Sequence, residues 1–134
     1  MSPALDLSSP CPCGTGRLAE SCCAPVHSGA VQAPTAEALM RSRYSAFVVG
    51  DVDHLLASWH PQTRPEGVQP DPGLRWTKLE IVETSGGGLF DAEGIVEFRA
   101  HYSDGGRRGD MHERSRFVRH DGAWVYWGPI LAGR

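Results

Sequence analysis

The chain has 134 residues, enough for one domain and an appendage, and its 40% hydrophobic and 22% charged content is that of an ordinary globular protein with a real core. A formal net charge of −3 argues against broad electrostatic capture of nucleic acid. No stretch approaches the roughly 20 apolar residues of a membrane span, and the first ten residues lack the basic and apolar regions of a secretory signal, so a cytoplasmic location without membrane contact is expected.

All four cysteines fall in one window, Cys11-Pro12-Cys13 followed by eight residues and then Cys22-Cys23. A structural metal site needs four ligands at tetrahedral corners, and a segment of this length can fold back to bring two thiolate pairs together. Gly14 and Gly16 suit the tight turn after the first pair. Leu18, Glu20 and Ser21 read as a short helical turn presenting Cys22 and Cys23 together. Disulfides are the alternative, but neighbouring cysteines rarely meet the geometry of an unstrained bridge. Redox pairs more often space their cysteines by two residues. A divalent ion on four thiolates would take the formal charge to −5.

The register Cys-Pro-Cys-Gly-Thr-Gly-Arg, closed by Cys-Cys, resembles the SEC-C motif, a small metal-binding module also found at the end of the SecA preprotein translocase. The resemblance implies that Cys11, Cys13, Cys22 and Cys23 are all ligands. It also implies zinc as the usual ion, although iron suits the same four thiolates.

Residues 24–34 read as a linker broken by Pro25, Gly29 and Pro34. Thr35 is then an N-cap with Glu37 in the first turn, and Leu39, Met40, Tyr44, Phe47 and Val48 recur at helical spacing until Gly50, predicting a helix over 36–49. Asp51 caps a second helix whose stripe is Val52, Leu55, Leu56 and Trp59, ended by Pro61. The prolines at 61, 65, 70 and 72 make the next stretch a loop.

Beyond the loop the period becomes two, with strands expected over 74–84, 94–103, 110–120 and 124–128. Ser85-Gly86-Gly87-Gly88, Asp104-Gly105-Gly106 and Asp121-Gly122 supply the turns. The fold class is therefore α+β, two helices packed on a curved antiparallel sheet of about four strands. A metal-binding segment and linker occupy 1–33, and the α+β domain occupies 34–134.

This order resembles the nuclear-transport-factor-two-like cone, whose bent sheet wraps its helices around a pocket. Four stretches carry a closer likeness: Leu39-Met40-Arg41-Ser42-Arg43-Tyr44-Ser45-Ala46-Phe47, Ser58-Trp59-His60-Pro61, Glu113-Arg114-Ser115-Arg116-Phe117, and Gly122 with Trp124 and Tyr126. Together they resemble the YchJ family, which joins a SEC-C motif to such a cone. The resemblance covers about residues 10–128 and departs at the proline-rich loop 63–73. It implies a fold and a metal rather than an activity. Cone-like domains often pair through the open sheet face, so a homodimer stays open.

Alternation on the third strand puts Glu113, Ser115 and Phe117 on one face. If that face is concave, Glu113 and Ser115 enter the cone near Arg41, Arg43 and Tyr44 of the first helix and Trp59 and His60 at the end of the second. On a functional reading Glu113 or His60 is a general base, Arg43 clamps an anion, and Tyr44, Trp59, Trp76 and Trp124 wall a pocket. The simpler expectation is an ion pair of Glu113 with Arg41 or Arg43 fixing helix to sheet. His27, four residues past the cysteines, could in principle replace one of them, but four thiolates already complete a site.

Three functions follow. The first is a metal-stabilised adaptor that offers Arg17 and Leu18 to a protein partner, with no catalytic residues. The second is a small-molecule binder or enzyme using the cone. The third is RNA or ribosome binding through Arg17, Arg107 and Arg108.

Overall fold

A computed structural model describes residues 5–69, 71 and 73–130. A 3-10 turn, Ala19–Ser21, leads into α1 (Cys23–Ser28), α2 (Ala36–Val49) and α3 (Val52–Ala57). Four strands follow: β1 (Leu74–Gly86), β2 (Glu93–Asp104), β3 (Arg107–His120) and β4 (Ala123–Pro129). They form one antiparallel sheet in the order β1-β2-β3-β4. The α+β class expected from the sequence is what the chain adopts.

Local chemistry sets the bounds of α2. The Thr35 hydroxyl accepts from Ala38 N at 3.1 Å, satisfying one of the amides a helix leaves unpaired at its start. Gly50, at φ 75°, closes the other end in the left-handed region. The Asp51 carboxylate likewise accepts from His54 N, capping α3.

Two expectations need correction. Residues 24–34 are not all linker, because Cys23–Ser28 is helical. Pro25 sits in the first turn of α1, where an amide has no helical acceptor, so the residue read as a breaker fits there. Trp59 is not on a helix either. The helix α3 stops at Ala57, and backbone bonds Tyr126 N to Ser58 O (2.8 Å) and His60 N to Tyr126 O (2.9 Å) pull the chain alongside β4.

Register shifts that leave an extra residue in β1 and in β4 bend the sheet around the helices. The glycine-rich turn after β1 is also a docking point. Gly87 O accepts from Ala36 N at 2.9 Å, seating the start of α2. A Cβ on Gly94 would overlap Gly87 Cα, so only glycine allows this approach of backbone to backbone.

The core is continuous. Cys11, Cys13, Ala19, Cys23 and Ala33 share one buried cluster with Leu39, Met40 and Tyr44 of α2 and with Val96, Phe98, Phe117, Trp124 and Tyr126 of the sheet. The cysteine segment thus packs as part of the cone's hydrophobic interior. Among the described residues, no helix is long and apolar enough to cross a membrane.

Candidate metal centre and cone cavity

The four cysteine sulfurs lie within 4.8 Å of one another, with Cys13 Sγ 3.6 Å from Cys22 Sγ and Cys22 Sγ 4.0 Å from Cys23 Sγ. Metal–sulfur bonds of about 2.3 Å at tetrahedral corners put sulfurs about 3.8 Å apart, so the spacing fits one shared ion. A disulfide needs about 2.05 Å, and all four cysteines are free thiols. Cys11, Cys13 and Cys23 are buried and Cys22 is half-buried.

Electrostatics point the same way. Hydrogen bonding to Cys13 and then Cys23 pulls the Cys11 thiol below its ordinary value. Sharing with Cys11 pushes Cys13 and Cys23 up, and burial adds to both. Four thiolates this close cannot all ionise without a counter-charge, which a divalent cation supplies.

The cysteine turn is bolted to α2. Arg41 Nη1 donates to Cys13 O at 2.6 Å while its Nε donates to Glu37 Oε2 at 3.0 Å. Ser45 Oγ lies 3.5 Å from Cys11 Sγ. His27 is no substitute ligand. Its Nε2 donates to Ser42 O at 2.7 Å, and its Nδ1 lies 3.7 Å from Asp51 Oδ2. Its ring stands 4.6 Å from that of His54, whose Nε2 is 3.0 Å from Ser42 Oγ. Burial, followed by the charges of His27 and Arg43, holds His54 down at about 3.

Within the cone lies a cavity of about 230 Å³. Its polar lining is Arg43, Glu113, Ser115, Tyr126 and the indole of Trp59, and aromatic walls come from Tyr44, Phe47, Trp76 and Phe98. The guanidinium of Arg43 is 3% exposed and sits between two rings, 4.9 Å from that of Trp59 and 4.5 Å from that of Tyr126. Its Nη1 donates to Leu55 O (2.8 Å) and Ser58 Oγ (2.6 Å). Burial lowers Arg43 to about 10, which leaves it cationic at neutral pH.

Glu113 does not form the expected ion pair. Its Oε2 accepts from Ser115 Oγ and, at 2.8 Å, from the Tyr126 hydroxyl. Arg43 is held by carbonyl, hydroxyl and rings instead, and Arg41 is spent on Cys13 and Glu37. Burial, with the Glu113 charge next, pushes the Tyr126 phenol well above its ordinary value, so it remains a donor. Burial likewise raises Tyr44 to about 12.

The structure therefore brings Arg43, Tyr44, Trp59, Glu113 and Ser115 together around one cavity. Arg41 serves the cysteine turn instead. His60 lies outside: its Nδ1 accepts from Gln62 N at 3.0 Å, and its ring packs 4.9 Å from those of His120 and Trp127. Trp124 donates from Nε1 to Pro34 O at 3.3 Å and borders a separate open groove between the N-terminal segment and α3.

Tyr126 and Phe98 are site residues that sequence reasoning did not place in the cavity. The signal was available. Alternation from Trp124 puts Tyr126 on the same face of β4, and Met40, Arg43, Tyr44 and Phe47 repeat at the spacing of one helical stripe.

A family model described as "YchJ, middle NTF2-like domain" matches residues 35–129. A UPF0225 protein of Streptomyces coelicolor is 58% identical over 117 residues, covering 87% of this chain and 91% of the relative. A UPF0225 protein of Chromobacterium violaceum is 49% identical over 125 residues, covering 91% and 93%. The solution structure of a SEC-C motif containing protein from Rhodopseudomonas palustris superposes with a TM-score of 0.81 at 30% identity, covering 92% of this chain and 99% of that one. The crystal structure of a SEC-C motif containing protein from Psychrobacter arcticus gives 0.77 at 26% identity, covering 97% and 87%.

Proposed function

The chain belongs to the YchJ family, and from that premise we propose that it is a small-molecule-binding cone braced by a structural zinc ion on Cys11, Cys13, Cys22 and Cys23. The observation that carries this reading is the cavity, in which Arg43 and Glu113 line a common space without pairing directly with each other. A purely structural Glu–Arg couple would have closed that space. Binding in the cone accordingly takes precedence over the adaptor role that the sequence put first.

Four thiolates complete a tetrahedral shell and leave no open position, so the ion's chemistry is to hold shape. Zinc suits this role because it has no redox chemistry and no geometric demand beyond the four sulfurs. The rest of the work falls to the chain: Arg41 and Ser45 tie the sulfur turn to α2, and α2 carries Arg43, Tyr44 and Phe47 into the cavity.

The test is a thermal-shift screen of metabolites on metal-replete protein. Ligand at about a hundred times its dissociation constant stabilises by about 2.7 kcal/mol, which for a chain of this size raises the midpoint by several degrees. A chemically related set of stabilisers is expected, and their effect should vanish in Met111→Trp, which fills the cavity from its 40% exposed rim. Stabilisers that act equally on Met111→Trp, or none at all, would contradict the reading.

One observation favours a second reading, docking of a protein partner on the metal turn. Leu18 is 43% exposed beside exposed Arg17, and backbone bonds Cys11 N to Arg17 O (2.8 Å) and Ala19 N to Ser9 O (3.0 Å) hold the two in a fixed shape. A rigid apolar and basic knob suits the anchoring of a protein partner.

A further inference from the structure

The polar atoms around the cavity are unevenly satisfied, and the pattern of what is left over specifies a ligand. Trp59 Nε1 is a buried donor with no acceptor among the described residues. Arg43 spends only Nη1 on protein acceptors, so among the described residues Nε and Nη2 have none. Glu113 takes both hydroxyls on Oε2, and among the described residues Oε1 accepts nothing. Of these atoms Trp59 Nε1 is the one fully buried, and a buried donor left unpaired is costly; the unused atoms of Arg43 and Glu113 belong to side chains that line the same cavity, so a molecule filling it could supply partners to all three.

Charge narrows the class. A carboxylate would gain Arg43 but would meet Glu113 Oε1, which offers only lone pairs. An amine would gain Glu113 and meet the donors of Arg43 and Trp59. Each loses at one end what it gains at the other, whereas a neutral group carrying both a carbonyl and an N–H satisfies the two together. Size narrows it further. Cavities of about 150 Å³ accept benzene and drug-sized pockets begin at about 300 Å³, so about 230 Å³ fits one substituted ring. The walls of Tyr44, Phe47, Trp76 and Phe98 suit an aromatic body.

We infer that the cone binds a ring-sized, net-neutral molecule with an amide-type edge, an aryl carboxamide or a lactam heterocycle, whose carbonyl accepts from Arg43 and Trp59 and whose N–H donates to Glu113. This rests on the cone being a ligand site at all, and the test separates the two ideas.

Benzamide, benzoate, benzylamine and toluene share one ring and differ only in what they offer: donor and acceptor, acceptor alone, donor alone, and neither. Each is titrated into full-length metal-loaded protein labelled with ¹⁵N-tryptophan, with the indole N–H signals of Trp59 and Trp76 as the readout. Benzamide should bind at about millimolar strength, at least about five-fold tighter than the other three, because each of them forfeits one or more hydrogen bonds. The Trp59 signal should move downfield. In Glu113→Gln, whose amide can donate as well as accept, the preference for benzamide over benzoate should narrow or reverse. Trp59→Phe, which keeps a ring but removes the donor, should weaken benzamide and leave toluene unchanged.

If benzoate or toluene binds as tightly as benzamide, or if neither substitution alters the preference, the ligand class is wrong while the cone remains a binding site. If none of the four moves either indole signal, both the class and the binding reading fall.

Discussion

Loss of the metal, by strong chelation or by Cys13→Ser, is expected to release residues 5–33 from the cone while the four-stranded sheet stays formed. Cys13 is fully buried, and its carbonyl receives Arg41 Nη1, so the residue that would hold the ion also makes the contact with α2. Structural zinc in finger peptides contributes about 10–16 kcal/mol of apparent binding free energy, and a whole domain is stable by only about 5–15 kcal/mol. Beyond the ion, the segment's own regular structure is slight, a 3-10 turn of three residues and an α1 of six, and its remaining ties are Arg41 Nη1 on Cys13 O, His27 Nε2 on Ser42 O and the packing of Leu5, Ala19, Cys23 and Ala33 in the common core. Hydrogen exchange should show protection of the α1 amides lost by several kcal/mol in the stripped protein. The β2–β3 ladder, paired from Glu93↔Val118 to Asp104↔Arg107, should change little. Unchanged protection across residues 5–33 would show that the sulfurs do not organise the segment.

The second large effect is at low pH. His54 is 8% exposed, and its pKa falls from 6.5 to about 3 through burial and through the charges of His27 and Arg43. The unfolded chain therefore binds a proton at His54 that the folded chain refuses. Stability attached to this residue is complete above about pH 6.5 and declines as the pH falls towards 3. At about 1.4 kcal/mol per pKa unit, the loss reaches a few kcal/mol. Asp51, whose Oδ2 faces His27 and whose Oδ1 caps α3, is the carboxylate on this face of the cluster. Thiolate protonation also weakens metal binding in acid, so the comparison must be with a variant that shares it. Urea unfolding of the parent and of His54→Gln at a series of pH values isolates the histidine. Their stabilities should converge as the pH falls from 6.5, with the parent showing the steeper decline. Parallel curves would contradict the assignment.

Much of this could be read from the chain because it is encoded locally. Thr35, the stripe from Leu39 to Phe47 and Gly50 specify α2 from its own caps and periodicity, and the structure places it over Ala36–Val49. The four cysteines were legible as a set because all lie within 13 residues and bring the right chemistry. What stayed hidden depends on contacts distant in sequence. Pro25 and Gly29 suggested a linker, but α1 forms where His27 reaches Ser42 O, 15 positions away. Arg41 shares the helix with the cavity residues, but its bond to Cys13 O, across 28 positions, gives it another task. Alternation put Glu113 on the concave face, yet periodicity carries no distances. It could not tell an ion pair with Arg43 from a carboxylate held by Ser115 and Tyr126. The spacing of Trp59 fits a helix, and the pairing of Ser58 and His60 with Tyr126 is what removes it from one.

X-ray absorption at the metal edge of protein purified without added metal tests the central claim most directly, namely that one ion held by four sulfurs joins the N-terminal segment to the cone. One zinc per chain is expected, with four sulfur neighbours at about 2.3 Å and no nitrogen or oxygen. A metal-free but fully ordered segment, a first shell containing nitrogen, or oxidised sulfurs bridged to each other would contradict it.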